Sequence, residues 1–267
     1  MAKSLVIAAL LAMAASSMAA PRVKSSDGGK IVGGVPAKLG EFPSMLALGW
    51  NTSSPCGAVL VGPKLALTAA HCITTFDDPP GSQPDPSLQF AWVRAGSLTK
   101  DEGGIQVRIA SKVEHPDYIW YSNDNDITLL HLDKPIHESP TVRYAKLPKK
   151  DSEPAPHSLA KTAGWGADKT NATVRPLLHV TIPIVRRRDC QNSYIRAPRP
   201  RTITRDMVCA GAPERDACNG DSGGPLYDLK TNELIGIVSW GEGCGSPTYP
   251  GVFTRVSKYV DWIRQNS

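Results

Sequence analysis

Ser222 lies in Gly220-Asp221-Ser222-Gly223-Gly224-Pro225. A serine hydroxyl is a weak nucleophile until a base takes its proton. Glycines on either side let the backbone turn tightly enough for N–H groups to face a developing oxyanion. The chemistry indicated is acyl transfer with Ser222 attacking. A Gly-x-Ser-x-Gly string also marks the nucleophile elbow of an α/β-hydrolase. Here Gly223-Gly224-Pro225 would break the helix that must follow an elbow. That fold also needs its histidine after the serine, and the last histidine is His179. The base therefore precedes the nucleophile.

His71 is the strongest candidate base. It sits in Leu67-Thr68-Ala69-Ala70-His71-Cys72, at the end of an apolar strand and beside a cysteine that could pin it. His115 precedes Pro116, His137 and His157 stand in polar turns rich in proline, and His131 and His179 flank strands. These five read as surface or turn residues. A third group should orient the imidazole and favour its charged form. Asp126 opens the apolar run Ile127-Thr128-Leu129-Leu130, where a carboxylate is costly without a partner. Asp124, two residues back in a polar stretch, reads as a solvated turn residue.

The elements that position these groups follow from patterning. The 267 residues are 41% hydrophobic and 21% charged, with 23 Gly and 23 Pro, which favours turns over long helices. Short apolar runs alternate with Gly, Pro, Asn and Asp: Ala58–Val61, Leu65–Thr68, Ile127–Leu132, Val180–Val185 and Leu234–Trp240. This is the texture of antiparallel β structure in a sandwich or barrel, with a hairpin turn at Gly62-Pro63-Lys64. One amphipathic helix is legible, at the C-terminus, where Val256, Val260 and Ile263 share a face beside Tyr259. Asp77–Pro86, with four prolines, reads as a surface loop.

Residues 1–20 read as a signal peptide: Lys3, then the apolar run Leu5–Ala15, then small residues for cleavage after Ala19 or Ala20. The run is shorter than the roughly 20 residues that span a bilayer. Pro21–Lys30 is polar and accessible in character. The expectation is a secreted protein with no membrane role, whose six cysteines suit three disulfides. Lys3, Arg22, Lys24 and Lys30 against Asp27 account for +3 of the formal net charge of +5, leaving +2 from Ile31 onward. That excludes a charge argument for nucleic acid.

Five motifs occur in order: Ile31-Val32-Gly33-Gly34, Thr68-Ala69-Ala70-His71-Cys72, Asp126-Ile127-Thr128-Leu129-Leu130, the Ser222 motif and Ser239-Trp240-Gly241. From Ile31 to the C-terminus the chain resembles the trypsin branch of the chymotrypsin-like serine proteases. The resemblance implies an all-β fold of two six-stranded antiparallel β-barrels with a C-terminal α-helix, residues 31–140 forming the first barrel and 141–267 the second barrel and helix. It implies His71, Asp126 and Ser222 as catalytic residues and the N–H groups of Gly220 and Ser222 as the oxyanion hole. The Asp216 carboxylate becomes the floor of the specificity pocket, with Gly241 and Gly251 as walls. A carboxylate there suits a substrate Arg bidentately and Lys less directly. Ala217 stands where many relatives have Ser, so Arg is expected over Lys.

The resemblance also implies a precursor cut at Lys30-Ile31, with the freed Ile31 amine pairing with Asp221. It implies disulfides Cys56–Cys72, Cys190–Cys209 and Cys218–Cys244. No cofactor or metal is expected. Vertebrate trypsins carry a calcium loop, but Lys100 stands where a cation would be unwelcome. Asn51-Thr52-Ser53 and Asn171-Ala172-Thr173 are glycosylation sequons. Partners would be Arg- or Lys-containing proteins and peptides and proteinaceous protease inhibitors, with the enzyme a monomer. Arg186 to Arg205 holds seven Arg and one Asp, read as a solvated basic face or an exosite for acidic substrates. The rival class, an inert homologue that binds a partner, conflicts with the retention of all three catalytic residues.

Overall fold

The computed structural model describes residues 31–50, 53–73, 86–166 and 176–267. The signal peptide, the propeptide with Lys30, both sequon asparagines and all of the proline-rich loop but Pro86 lie outside these. Pro86 opens a 3-10 turn, Pro86–Phe90. No helix among the described residues is long and apolar enough to cross a membrane.

The first barrel closes from β2 (Met45–Trp50), β3 (Ser53–Gly62), β4 (Leu65–Thr68), β5 (Ala91–Ala95), β6 (Ile105–Glu114) and β7 (Thr128–Leu132), in the order β2-β3-β4-β7-β6-β5. The β3–β4 hairpin turns at Pro63-Lys64, with Val59 opposite Leu67. Alternation explains why these strands read as continuous apolar runs. Leu46, Leu48, Ala66 and Leu130 point into the barrel. Met45, Ala47, Leu67 and Leu129 point the other way, into a core shared with the second half of the chain. Both faces are buried, so both need apolar side chains. Truncating the fully buried Leu46 to Ala is expected to cost about 2–5 kcal/mol.

The second barrel runs through β8 (Leu159–Gly164), β9 (Leu178–Val185), β10 (Met207–Ala210), β11 (Pro225–Asp228), β12 (Leu234–Trp240) and β13 (Gly251–Arg255). Its order is β9-β10-β13-β12-β11-β8, closed by pairing of β8 with β9. Val180, Ile182 and Ile184 fill its interior. The short β1 (Val35–Pro36) adds to β9, so the start of the described chain docks on the second barrel.

The helices differ from expectation. At the C-terminus a 3-10 turn, Val256–Lys258, precedes a short α-helix, Val260–Gln265; Val256, Tyr259 and Ile263 nonetheless join the shared core. A further helix, α1 (Arg187–Tyr194), escaped the sequence reading because only Cys190 and Tyr194 on it are buried. Two buried positions among eight residues, the other six polar, leave no readable period.

Candidate active site

His71 follows β4 directly, in a 3-10 turn spanning Ala70–Cys72. Cys72 is disulfide-bonded to Cys56, and the next residue, Gly57, donates its N–H to the carbonyl of Ser222 at 2.7 Å. This short path of bonds brings the Ser222 segment from the second barrel against the turn that carries His71. The fit depends on glycine. A Cβ on Gly223, whose φ is +77°, would lie 2.2 Å from Thr68 Oγ1 and 2.4 Å from the Gly57 carbonyl. Any side chain there would push the two barrels apart.

Asp126 is fully buried and satisfied on every side. Its Oδ2 lies 2.8 Å from His71 Nδ1, and its Oδ1 accepts the His71 backbone N–H at 2.9 Å. Ser239 Oγ donates to Oδ2 and Thr254 Oγ1 donates to the Asp126 carbonyl. Burial alone would raise this carboxyl; hydrogen bonds and charge from His71, with Ser239, outweigh it and hold it below the ordinary value. For His71, burial pulls downward and Asp126 more than offsets it, leaving the imidazole more basic than usual. Asp124 is not simply solvated: it accepts from Thr204 Oγ1.

Behind Ser222 opens a cavity of about 150 Å³, lined by Asp216, Ser222, Trp240, Gly241 and Gly251 among others. Asp216 is 2% exposed. Its Oδ2 receives a 3.3 Å contact from the Gly245 N–H, the backbone of Ala217 also bears on the carboxylate, and its Oδ1 has no hydrogen-bond partner among the described residues. Burial pushes it up to about 7, against backbone hydrogen bonds that pull it down. A Cβ on Gly251 would sit 2.5 Å from that bare oxygen. The N–H groups of Gly220 and Ser222 donate to no acceptor among the described residues. Gly220 has φ +90°, open to glycine at little cost.

Asp221 points away from the cavity into the interior. It accepts the N–H groups of Gly166 and Cys218, each at 2.8 Å, and no cation pairs with it among the described residues. Burial pushes it up to about 7. Ile31 is buried, and Val32 pairs with the backbone of Asp216 through bonds of 2.8 and 3.2 Å. The other two disulfides join Cys190 to Cys209 and Cys218 to Cys244.

The Trypsin family model matches residues 31–263. The chain belongs to the trypsin family. It is 35% identical to the Vitellin-degrading protease of Bombyx mori over 242 residues, covering 89% of this chain and 85% of that one. Against Trypsin 5G1 of Aedes aegypti it is 33% identical over 243 residues, covering 90% and 85%. The chain is thus a trypsin-like serine endopeptidase.

Several residues around the trypsin-family site were not legible beforehand. Ser239 was quoted only as a motif marker, and Thr254 carried no signal, because their partner Asp126 is remote in sequence. Among the other histidines, His131 lies within β7 and His179 within β9. His179 pairs with Glu41 at 3.4 Å and packs on Phe42. His115 is wedged against Tyr259 and Trp262. None of the three is a free surface histidine. In the basic segment, Arg187 and Arg201 turn inward, Arg187 to Glu153 and the carbonyls of Thr204 and Met207, while Arg186, Arg188, Arg196, Arg199 and Arg205 are exposed.

Proposed function

We propose that this trypsin-family endopeptidase cleaves after Arg, and more slowly after Lys, using His71, Asp126 and Ser222. Ser222 Oγ attacks the scissile carbonyl while His71 Nε2 takes its proton. The N–H groups of Gly220 and Ser222 stabilise the oxyanion, each worth about 3–4 kcal/mol by analogy with other such donors. His71 then protonates the leaving amine, and water, activated the same way, releases the acyl group from Ser222. Asp126 holds Nδ1–H in place and stabilises the imidazolium. This mechanism is the family's; the hydrogen bonds of Asp126 support its transfer to these residues.

The bare Oδ1 of Asp216 carries the specificity reading. A buried carboxylate oxygen without a donor is costly, and a guanidinium threading the cavity supplies a charged bidentate partner. Ala217 offers no hydroxyl to a Lys ammonium, a loss of about 1 kcal/mol. Matched peptides ending in Arg, Lys or Phe test this. The expected order is Arg, then Lys several-fold slower, with Phe far behind; faster cleavage after Phe refutes it. Labelling of Ser222 by an organophosphate separates an active enzyme from an inert homologue.

Synthesis as a secreted zymogen cut at Lys30-Ile31 belongs to the same proposal. The pairing of Val32 with Asp216 supports it, since a cut one residue upstream of Val32 acts on the pocket floor directly. Protein inhibitors would enter by the same cavity. In the 100–103 loop, Arg94 donates to the carbonyls of Lys100 and Gly103. A guanidinium already seated there supports the reading that no metal is held.

A further inference from the structure

Trp240 forms one wall of the Asp216 cavity, and one face of its indole is already occupied. The guanidinium carbon of Arg201 lies 3.6 Å from the ring centroid. Arg201 comes from the second barrel, between α1 and β10. Its Nη2 donates across the cleft to the Ser122 carbonyl and to Asn123 Oδ1, the latter at 2.9 Å. Those residues belong to the loop that leads to Asp126. The arm therefore crosses from one barrel to the other beside the cavity. Its Nε and Nη1 donate to nothing among the described residues. Asp126 and Glu242 are the acids whose charge reaches it. Asp126 is matched by His71, and no ion pair joins Arg201 to Glu242 among the described residues.

We propose that Arg201 is a specificity-determining residue that selects an acidic side chain on the substrate residue lying along Trp240 and disfavours an aromatic or basic one there. The inference rests on the cavity taking a substrate Arg. A guanidinium on the indole prevents a substrate aryl ring from stacking on that face. Its free Nε–H and Nη1–H groups point in different directions, and each offers a carboxylate one charge-assisted hydrogen bond. Stacking and two hydrogen bonds hold it still before substrate arrives, so little side-chain freedom is lost on binding. A substrate Arg or Lys at that position meets like charge.

The test uses peptides with Arg at the cleaved bond and Glu, Ala, Phe or Arg at each of the three preceding positions. Cleavage after Arg is first compared with cleavage after Phe; preference for Phe overturns the cavity reading and is thereby distinguished from failure of the Arg201 proposal. The native enzyme is expected to favour Glu over Phe about tenfold in kcat/KM at one of those positions, chiefly through KM. That preference should shrink between low and high salt. Arg201→Ala should abolish or reverse it, and Arg201→Lys, which keeps the charge, should retain part of it. Absence of any Glu preference in the native enzyme overturns the proposal whatever the variants do. So does an Arg201→Ala enzyme that loses kcat equally on every peptide, since Arg201 would then be only a strut behind Asn123 and Asp126.

Discussion

Asp126 grips His71 twice: Oδ2 reaches the ring Nδ1 at 2.8 Å and Oδ1 takes the backbone N–H of the same residue at 2.9 Å. One carboxylate thus sets both where the imidazole is and which way it faces. An amide cannot do this, because one of its two arms is a donor. Asp126→Asn is expected to fold normally but to favour the wrong imidazole tautomer. By analogy with the same exchange in such triads, kcat should drop about 10⁴-fold. Circular dichroism and steady-state kinetics on one preparation check it.

The pH profile follows from the same pair. In the proposed mechanism His71 serves as base only when neutral, and Asp126 holds it more basic than the ordinary 6.5 despite burial. The value of kcat/KM should therefore fall tenfold per unit below a midpoint lying above 6.5. A raised histidine contributes stability below its unfolded pKa and loses it as pH climbs through the folded one. The lowered Asp126 contributes above 3.8. Their joint contribution is fullest between those two ordinary values, so full activity comes at a pH where part of it is gone. Rates and melting temperatures measured over one pH series test both halves.

Asp216→Asn should separate stability from function. Removing one partner of a buried charge pair costs about 3–5 kcal/mol, so cleavage after Arg should fall on the order of 10³-fold. The free enzyme should not suffer. With its pKa near 7 instead of 3.8, Asp216 destabilises the fold progressively as pH rises from about 4 through 7. The variant should melt no lower than the parent at pH 8, with any advantage vanishing near pH 4.

Gly251→Ala should reach the same site by sterics. Its methyl would stand 2.5 Å from Asp216 Oδ1, closing the place a guanidinium needs. An overpacked site costs about 1–3 kcal/mol, and kcat/KM for Arg peptides should fall roughly tenfold to a hundredfold while organophosphate labelling of Ser222 persists.

A Lys30→Ala precursor should stay uncut and have low activity. Its Asp221, near pKa 7 through burial, must ionise without a cation, so its stability should fall as pH rises from about 4 through 7. On the proposed scheme the Ile31 amine of the cut chain would supply the missing charge. The melting temperatures of the two forms should therefore diverge toward pH 8 and converge toward pH 4. A gap independent of pH contradicts the scheme.

The antiparallel β character was legible because short apolar runs such as Leu65–Thr68 and Leu234–Trp240 alternate with turn residues, while the division into two six-stranded barrels came from the family resemblance. Residues 71, 126 and 222 stood out because their neighbours are small, apolar or glycine in ways a surface residue does not require. Pairings across the two halves could not be read. Nothing near Val35 tells that it lies against His179, nor near Arg201 that it stacks on Trp240. Periodicity reports that a face is buried; it does not name what buries it. The α1 helix was lost for a related reason, since its first turn is two arginines and an aspartate, of which only Arg187 makes tertiary contacts among the described residues.

All three disulfides close loops inside a single barrel. The cleft itself is spanned by weaker ties: Gly57 to Ser222, Ser239 and Thr254 to Asp126, Arg201 to Asn123. The two halves are thus joined with no disulfide between them, by these hydrogen bonds and by the apolar core they share. Mild urea should loosen that docking and silence catalysis while each half keeps its cross-links and most of its circular dichroism. Inactivation would then run ahead of unfolding.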